Sequence, residues 1–123
     1  MRLGAFSISL NVKDIEKSRA FYRYLGFDDF GGDASQGWLI LKNGATVLGL
    51  FGGFIGQNTL TFNPGWDQSA QDVDPFDEVR AIQARLLDAG ITIKDQTDPN
   101  GTGPGSISLL DPDGNAILID QHR

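Results

Sequence analysis

The spacing of hydrophobic residues changes from a strand pattern to a helix pattern twice along this chain. Residues 7–12 alternate polar and apolar side chains, as a half-buried strand does, and a helical spacing follows that ends at Gly26. Asp14 is placed to cap this helix. Its predicted buried side consists of Ile15, Ser18, Phe21, Tyr22 and Leu25. The segment therefore predicts a strand followed by an amphipathic helix.

The same order of patterns returns at Thr59. Residues 59–62 repeat the alternation, and a second helix is predicted to start with Asp74 as its cap and Pro75 in its first turn, and to stop at Gly90. Its predicted buried side consists of Val79, Ile82, Leu86 and Ala89. The recurrence of strand and helix indicates an internal duplication.

Three strands are predicted after each helix. The first set is an edge strand at 27–30, a turn at 31–33, and a hairpin of strands 38–42 and 46–51 about Asn43-Gly44. The second set lies at 91–94, 106–110 and 116–120, with a turn at 111–115 before the last strand. The sequence thus predicts an α+β fold in one domain of residues 1–123, made of two βαβββ modules, residues 1–53 and 57–123.

Composition and charge exclude several classes of function. The net charge is −6 and no cationic stripe is present, which argues against nucleic acid as a partner, whereas a cationic small molecule would be tolerated. The chain has no cysteine, so a disulfide framework and a thiol nucleophile are excluded, as is common in a cytoplasmic protein. No leader and no apolar run of the roughly 20 residues that a membrane span needs are found. A cytoplasmic protein without a membrane partner is expected.

The chain resembles the glyoxalase, bleomycin-resistance and extradiol-dioxygenase superfamily, the vicinal oxygen chelate proteins. The features that carry the resemblance are the two βαβββ units, the pattern of residues 7–27 and the Asp111-Pro112-Asp113-Gly114 turn before the last strand. The resemblance implies a cup-shaped, partly open β-barrel with the helices outside, and a homodimer. It also implies that one set of strand residues packs beneath the helices: Ile8, Leu10, Val12, Leu60, Phe62, Ile117 and Ile119.

Enzymes that this sequence resembles hold one divalent metal in the cup with His, Gln or Glu side chains. Carried over one at a time, those positions fall on Ser7, Gly49, Thr59 (or Asn58, one residue earlier) and Leu118. Glycine and leucine side chains cannot coordinate a metal, and neutral hydroxyls are poor ligands, so neither a metal nor another cofactor is expected. A displaced site of Asp120 and His122, which share a face of the last strand, is the alternative; otherwise His122 is expected to be solvated.

The cup that the resemblance implies is lined mainly by neutral polar side chains. Asn11 and Asn63 occupy equivalent places in the two modules and are predicted to form a shared polar anchor. Trp66 lies on a loop that the first module lacks, and is interpreted as a lid or stacking wall, with plain packing as the alternative. The predicted ligand-binding residues are Ser7, Ser9, Asn11, Phe51, Thr59, Thr61, Asn63, Trp66, Leu118 and Asp120.

Three functions remain open at this point. The first is a metal-free protein that binds a small organic molecule, as the resembled bleomycin-resistance members do. The second is an enzyme, a lyase, isomerase or dioxygenase with an atypical site, in which Asp120 is the candidate acid-base residue. The third is an interaction protein with a filled cup. Ligand-dependent thermal stabilisation separates the first from the third, and turnover identifies the second.

Overall fold

The computed structural model describes all residues from 1 to 123 and contains two α-helices and seven β-strands. No helix has the length and the apolar character that crossing a membrane requires. The mixed α+β class is confirmed. In chain order the elements are β1 Ala5–Asn11, α1 Ile15–Tyr24, β2 Asp28–Asp33, a short 3-10 helix Ala34–Gln36, β3 Trp38–Asn43, β4 Thr46–Phe51, β5 Thr59–Asn63, α2 Val79–Asp88, β6 Gly105–Leu110 and β7 Ala116–Gln121.

The chain divides into two compact units. The smaller unit is residues 7–59, and the larger unit is residues 1–6 together with residues 60–123. Each unit has its own hydrophobic core. The module boundaries at residues 53 and 57 stay a prediction.

In the smaller unit the strands follow the order β2-β3-β4-β1. Strands β3 and β4 pair antiparallel from Trp38 with Phe51 to Asn43 with Thr46, which confirms the hairpin predicted about Asn43-Gly44. Strand β1 then pairs with β4 in parallel, with Ile8 opposite Leu48. The parallel pair follows from α1, which returns the chain to the start of the sheet.

Helix α1 packs on the smaller core through a narrow stripe. Asp14 caps it by accepting the Lys17 backbone N–H at 3.1 Å, as predicted. The buried core residues are Leu39, Leu41 and Leu50, against which Leu10, Val12, Ile15, Tyr22 and Phe27 pack. The predicted burial of Phe21 and Leu25 is wrong, since both are more than half exposed. The helix contacts the core along a line through Ile15 and Tyr22, which are seven residues apart, so residues on either side of that line are exposed to solvent.

In the larger unit the strands follow the order β5-β7-β6. Helix α2 covers a core made of Val79, Ile82, Ile93, Ile107, Leu109 and Ile119, with Leu3, Phe62, Leu86 and Ile117 packed against it. The predicted packing of Phe62, Ile117 and Ile119 beneath a helix is therefore confirmed, with Ile119 buried and the other two half-buried. Ala89 was predicted on the buried side of α2 but is exposed. It is the C-cap residue, one position beyond the end of the helix.

The predicted start of α2 is wrong. The helix begins at Val79 with Glu78 as its cap, and the Glu78 carboxylate accepts the Arg80 backbone N–H at 2.8 Å. The Val79 N–H donates at 2.8 Å to Oε1 of Gln121, a residue 42 positions later in the chain. Asp74 instead pairs with Arg123, 3.0 Å apart. Capping signals are local, whereas the partner that fixes this helix start is distant in sequence.

The predicted strand at residues 91–94 is also wrong. Only Asp95 forms a bridge, with Ser108, and the Lys94 N–H donates to the Ser108 carbonyl at 2.8 Å. Two residues further on, Thr97 exchanges two hydrogen bonds with the Gln83 side chain on α2, at 2.8 and 3.1 Å. The segment therefore pairs with β6 at one residue only, and Thr97 is bound instead to the Gln83 side chain on α2.

Residues 31–33 are not the turn that their glycines predicted. They continue β2, where Gly31 pairs with Ile40 and Asp33 with Trp38, beyond a register shift at Phe30. A glycine next to a β-bulge accommodates the local change of backbone direction, because it adopts a positive φ without strain. Gly32 has a φ of 84°. The turn comes after Asp33, whose carboxylate caps the 3-10 helix by accepting the Ser35 N–H at 3.0 Å.

Candidate functional site

Strand β7 sorts its side chains onto two sides of the larger unit. Ile119 and Gln121 are buried, while Leu118 and Asp120 are half-buried and His122 is exposed beyond the strand end. This is the alternation expected of a strand with one face on a core. It places the carboxylate of Asp120 and the imidazole of His122 on the same face.

An aromatic and ionic cluster forms where this face meets the loop after β5. The rings of Trp66 and His122 are stacked, with centroids 4.7 Å apart and planes 7° from parallel. His122 Nε2 lies 3.2 Å from Asp120 Oδ2. We call Trp66, Asp120 and His122 the aromatic-acid cluster. The expectation of a solvated His122 does not include this stacking, because the ring partner lies 56 positions earlier on an irregular loop.

The aromatic-acid cluster raises the pKa of His122 above its usual value. The main cause is the hydrogen bond to Asp120, with the negative charge of the same carboxylate acting in the same direction. Partial burial of the ring opposes both. A protonated imidazole is therefore favoured beside this carboxylate.

The loop that carries Trp66 is held by side chains of the larger unit. Arg123 donates to the carbonyls of Gly65 and Val73 at 3.2 and 3.3 Å, and its guanidinium lies 4.4 Å above the ring of Phe76. Gln68 bonds the backbone of Phe6 with both ends of its amide. The Val73 N–H closes the loop on Gly65 at 2.9 Å. The loop that carries the indole of Trp66 is thus held at several points along its backbone.

The remaining predicted residues of the larger unit surround Asp120 or lie nearby on β5 and β7. Asn63 Nδ2 donates to the Asp120 backbone carbonyl at 2.9 Å, so this asparagine fixes the strand that carries the carboxylate. Thr61 is buried. Leu118 sits opposite Ser108 in the β6–β7 pair. The structure therefore brings Asn63 to the backbone of Asp120, and it brings Trp66 and Asp120 to the ring of His122, which is not among the predicted ligand-binding residues.

The predicted residues of the smaller unit make a separate set of contacts. Asn11 donates two hydrogen bonds to the adjoining loop, from its N–H to Asn58 Oδ1 at 2.9 Å and from its Nδ2 to the Gly56 carbonyl at 3.4 Å. Thr59 Oγ1 donates to the Gln57 carbonyl at 3.0 Å. Phe51 packs edge-to-face on Phe54, with ring centroids 5.6 Å apart. Ser7 is half-buried and Ser9 buried on β1.

Two concave regions lie within the units. An open groove of about 580 Å³ in the smaller unit includes Glu16, Arg19, Asp29, Phe30 and Asp33 in its lining, and contains no residue of the predicted site. Its Arg19 is already paired with Asp29 and Glu16. A cavity of about 70 Å³ in the larger unit lies against Trp66, with Gly65, Val73 and Phe76 among its lining residues. The second cavity adjoins the aromatic-acid cluster but is too small for more than a few heavy atoms.

The residues on which the resemblance places the superfamily's metal positions lack the chemistry of metal ligands. Gly49 has no side chain to offer, and the ring of Phe51 lies 2.6 Å from the place that a Cβ at this position would take. Ser7 and Thr59 offer neutral hydroxyls and Leu118 an alkyl group. No group of three or more His, Cys, Asp or Glu side chains converges anywhere in the structure, so Asp120 and His122 lack a third ligand for a displaced site.

The chain belongs to the Glyoxalase/Bleomycin resistance protein/Dioxygenase superfamily, whose model matches residues 4–119. The resemblance drawn from the sequence is therefore confirmed. A search of the curated proteins finds no significant match. Family membership fixes the ancestry and the fold, whereas the chemistry has to be argued from the residues.

Solved structures show the same fold at low identity. A superfamily member from Vibrio splendidus 12B01 is 16% identical over 94% of this chain and 96% of its own, with a TM-score of 0.62. A Legionella pneumophila protein described as an NAD-dependent benzaldehyde dehydrogenase is 17% identical over 96% of this chain and 99% of its own, with a TM-score of 0.70. A hypothetical protein from Bacillus halodurans C-125 is 14% identical over 99% of this chain and 94% of its own, with a TM-score of 0.63. These likenesses show the fold alone.

Proposed function

We propose that this protein binds a small organic molecule without a metal, at a site that includes Trp66 and Asp120. The observation that supports this is the aromatic-acid cluster, in which an indole face and a carboxylate both contact the partly exposed ring of His122. A broad apolar face combined with a few fixed polar groups is the usual composition of a small-molecule site.

The superfamily positions for metal ligands support the metal-free part of the proposal. Ser7, Gly49, Thr59 and Leu118 supply neither a carboxylate nor an imidazole. A substrate held through a metal in other members would have to be held here by side chains directly. Asn63 contributes by fixing the backbone of Asp120, and Thr61 and Leu118 are the neighbours on β5 and β7.

The polar residues of the smaller unit remain part of the proposal as a second set. Ser7, Ser9, Asn11, Phe51 and Thr59 retain the role that the superfamily resemblance gives them, the lining of a cup. The homodimer and the cytoplasmic location likewise stay predictions.

An enzyme is the second candidate, and one observation favours it. His122 Nε2 is within 3.2 Å of Asp120 Oδ2, and the pKa of His122 is raised by this hydrogen bond. A carboxylate-imidazole pair can move a proton as a general acid or base near neutral pH. Product formation from a compound that binds at Trp66, abolished by Asp120→Asn with binding retained, would make this candidate the leading one.

A thermal-shift screen of small organic compounds tests the binding proposal. It is run in the presence of a chelator on the wild type, on Trp66→Leu, and on Trp38→Leu as the matched control, because these are the two tryptophans of the chain and Trp38 lies in the smaller unit. We expect compounds that raise the Tm of the wild type and of Trp38→Leu but not that of Trp66→Leu. Stabilisation that survives Trp66→Leu, or that requires added metal, would contradict the proposal.

A further inference from the structure

The His122 side chain occupies a position that resembles a bound ligand. Its imidazole lies flat on the indole of Trp66, 4.7 Å between centroids, and its Nε2 lies 3.2 Å from Asp120 Oδ2. A flat nitrogen heterocycle is therefore held by an aromatic face on one side and by a carboxylate at its edge. About half of the side chain remains exposed, at 47%.

The two groups that hold this ring are themselves held by other contacts. The loop of Trp66 is fixed by Arg123 and Gln68, and the backbone of Asp120 by the amide of Asn63 and by pairing with Ser106. None of these hydrogen bonds passes through the imidazole. Removing the His122 ring should therefore leave the indole face and the carboxylate in place, with an open position between them.

The charges around this position favour a cation. Asp120 is the carboxylate that directly contacts the ring. On the loop of Trp66, the carboxylates of Asp72 and Asp74 are both paired with Arg123, at 3.8 and 3.0 Å, so this one guanidinium balances only one of their two negative charges. Asp120 has no other cationic partner than His122 among the ion pairs of the structure.

We propose that Trp66 and Asp120 form a recognition site for a planar heteroaromatic cation, and that His122 occupies this site in the absence of a ligand. The indole face binds a flat ring and is also attracted to positive charge, and the carboxylate accepts a charge-assisted hydrogen bond from a ring N–H. A neutral ring would lose the ionic hydrogen bond, and an aliphatic ammonium would lose the stacking. The inference rests on the proposed function and specifies the class of ligand.

A ligand of this class must displace the His122 ring before it binds. The apparent affinity of the wild type is therefore reduced by the fraction of molecules in which the site is occupied by the protein's own side chain. Removal of the ring by His122→Ala should strengthen binding without adding any contact. This relation distinguishes the site from a surface on which His122 itself contacts the ligand, where the same substitution would weaken binding.

Imidazole is the probe that copies the displaced side chain. The measurement uses Trp38→Phe, so that Trp66 is the only indole, and follows its fluorescence at pH 5.5, where imidazole is cationic. With His122→Ala added, we expect a saturable change with imidazole. It should be about 10-fold weaker when His122 is present and about 10-fold weaker when Asp120→Asn is added, whereas Asp113→Asn, in an exposed turn, should leave it unchanged.

Two further probes separate the ring from the charge. Pyrazole, a flat ring of the same size that stays neutral at this pH, and methylammonium, a cation without a ring, should each bind at least about 10-fold more weakly than imidazole. His122→Gln, which also removes the ring, provides a second variant in case His122→Ala folds poorly. A linear response to imidazole like that of free tryptophan, or one unaffected by Asp120→Asn, would overturn the inference.

Failure of this inference is distinguishable from failure of the proposed function. Compounds that stabilise the wild type through Trp66 but are neutral or anionic would overturn the heteroaromatic cation while leaving the binding protein in place. Saturable imidazole binding to His122→Ala supports the inference on its own, even if the compound screen of the wild type finds no ligand and the proposed function fails.

Discussion

The two helices of the repeat follow the same sequence pattern but are anchored in different ways. Helix α1 has no buried residue and its cap, Asp14, lies in the adjoining turn. Helix α2 buries Val79, Ile82 and Gln83, and its first N–H is bound by a side chain from β7. A duplicated pattern therefore reproduces the elements without reproducing the contacts that stabilise them. We expect substitutions at equivalent places to have unequal effects.

The largest difference is expected between the helix faces. Ile82→Ala removes a side chain that is only 1% exposed and should lower the free energy of unfolding by about 3 kcal/mol, since it loses apolar burial and leaves a cavity. Phe21→Ala on α1 removes a mostly exposed ring and should cost less than about 1 kcal/mol. Urea unfolding of both variants measures the difference. Equal losses would show that α1 is buried to a similar extent as α2.

A second large effect is expected at Gln121, the buried amide that joins four groups of the larger unit. Its Oε1 accepts the Val79 N–H, and its Nε2 donates to the carbonyls of Gly103 and Arg123 at 3.0 and 2.8 Å and approaches Glu78 Oε1 at 3.3 Å. Gln121→Ala should cost about 2 kcal/mol, because it leaves buried polar groups without partners.

The matched variant for Gln121 in the smaller unit is Asp14→Ala, which removes one local cap and should cost about 1 kcal/mol. Both variants are compared by urea unfolding under the same conditions. A greater loss from Asp14→Ala would contradict the view that α2 depends on distant contacts and α1 on local ones.

The two asparagines at equivalent places in the repeat give the next comparison. Asn63 is half-buried and its amide fixes the Asp120 carbonyl, whereas Asn11 is exposed and bonds the Gly56 carbonyl at 3.4 Å. Asn63→Leu should cost about 1 kcal/mol and weaken any ligand that binds at Asp120. Asn11→Leu should leave stability within about 0.5 kcal/mol. Loss of binding in both variants would support a polar anchor shared by the two modules.

The smallest expected effect is the pH dependence that His122 contributes. Its folded-state pKa is raised, so protonation stabilises the fold, and this contribution is complete below the unfolded pKa and is lost as pH rises through the folded pKa. Because the side chain is about half exposed, solvent screening limits the effect to about 0.5 kcal/mol. The difference in unfolding free energy between wild type and His122→Gln should therefore shrink from pH 5.5 to pH 8.5. A difference that grows over this range would contradict the ion pair.

Sequence reasoning predicted the elements whose signals are local. The cap at Asp14, the hairpin at Asn43-Gly44 and the alternation of β7 all follow from neighbouring residues, and all are present. The start of α2 and the missing strand at 91–94 depended instead on Gln121 and Gln83, whose side chains bond backbone groups of other segments. A glutamine in a strand or helix pattern carries no sign of such a partner.

The candidate site was only partly predicted, because it too depends on contacts between residues that are distant in the sequence. Trp66 and Asp120 were named from the resemblance and from their positions on the inserted loop and the last strand. The alternation of β7 predicts that His122 shares a face with Asp120, but the sequence favours a solvated His122, with a displaced metal site as the alternative. The path of the irregular loop could not be predicted from the sequence. It is fixed by Arg123, which binds the loop backbone, and by Gln68, which binds the backbone of Phe6.

The most direct test of metal-independent binding at Trp66 is one titration in the Trp38→Phe protein, which leaves Trp66 as the only indole. The strongest compound from the thermal-shift screen is titrated while Trp66 fluorescence is followed, once with a chelator and once with added zinc or manganese. We predict a saturable change with the same dissociation constant in both conditions. A fluorescence change that appears only with added metal, or no change in either condition, would contradict a metal-independent site formed by Trp66 and Asp120.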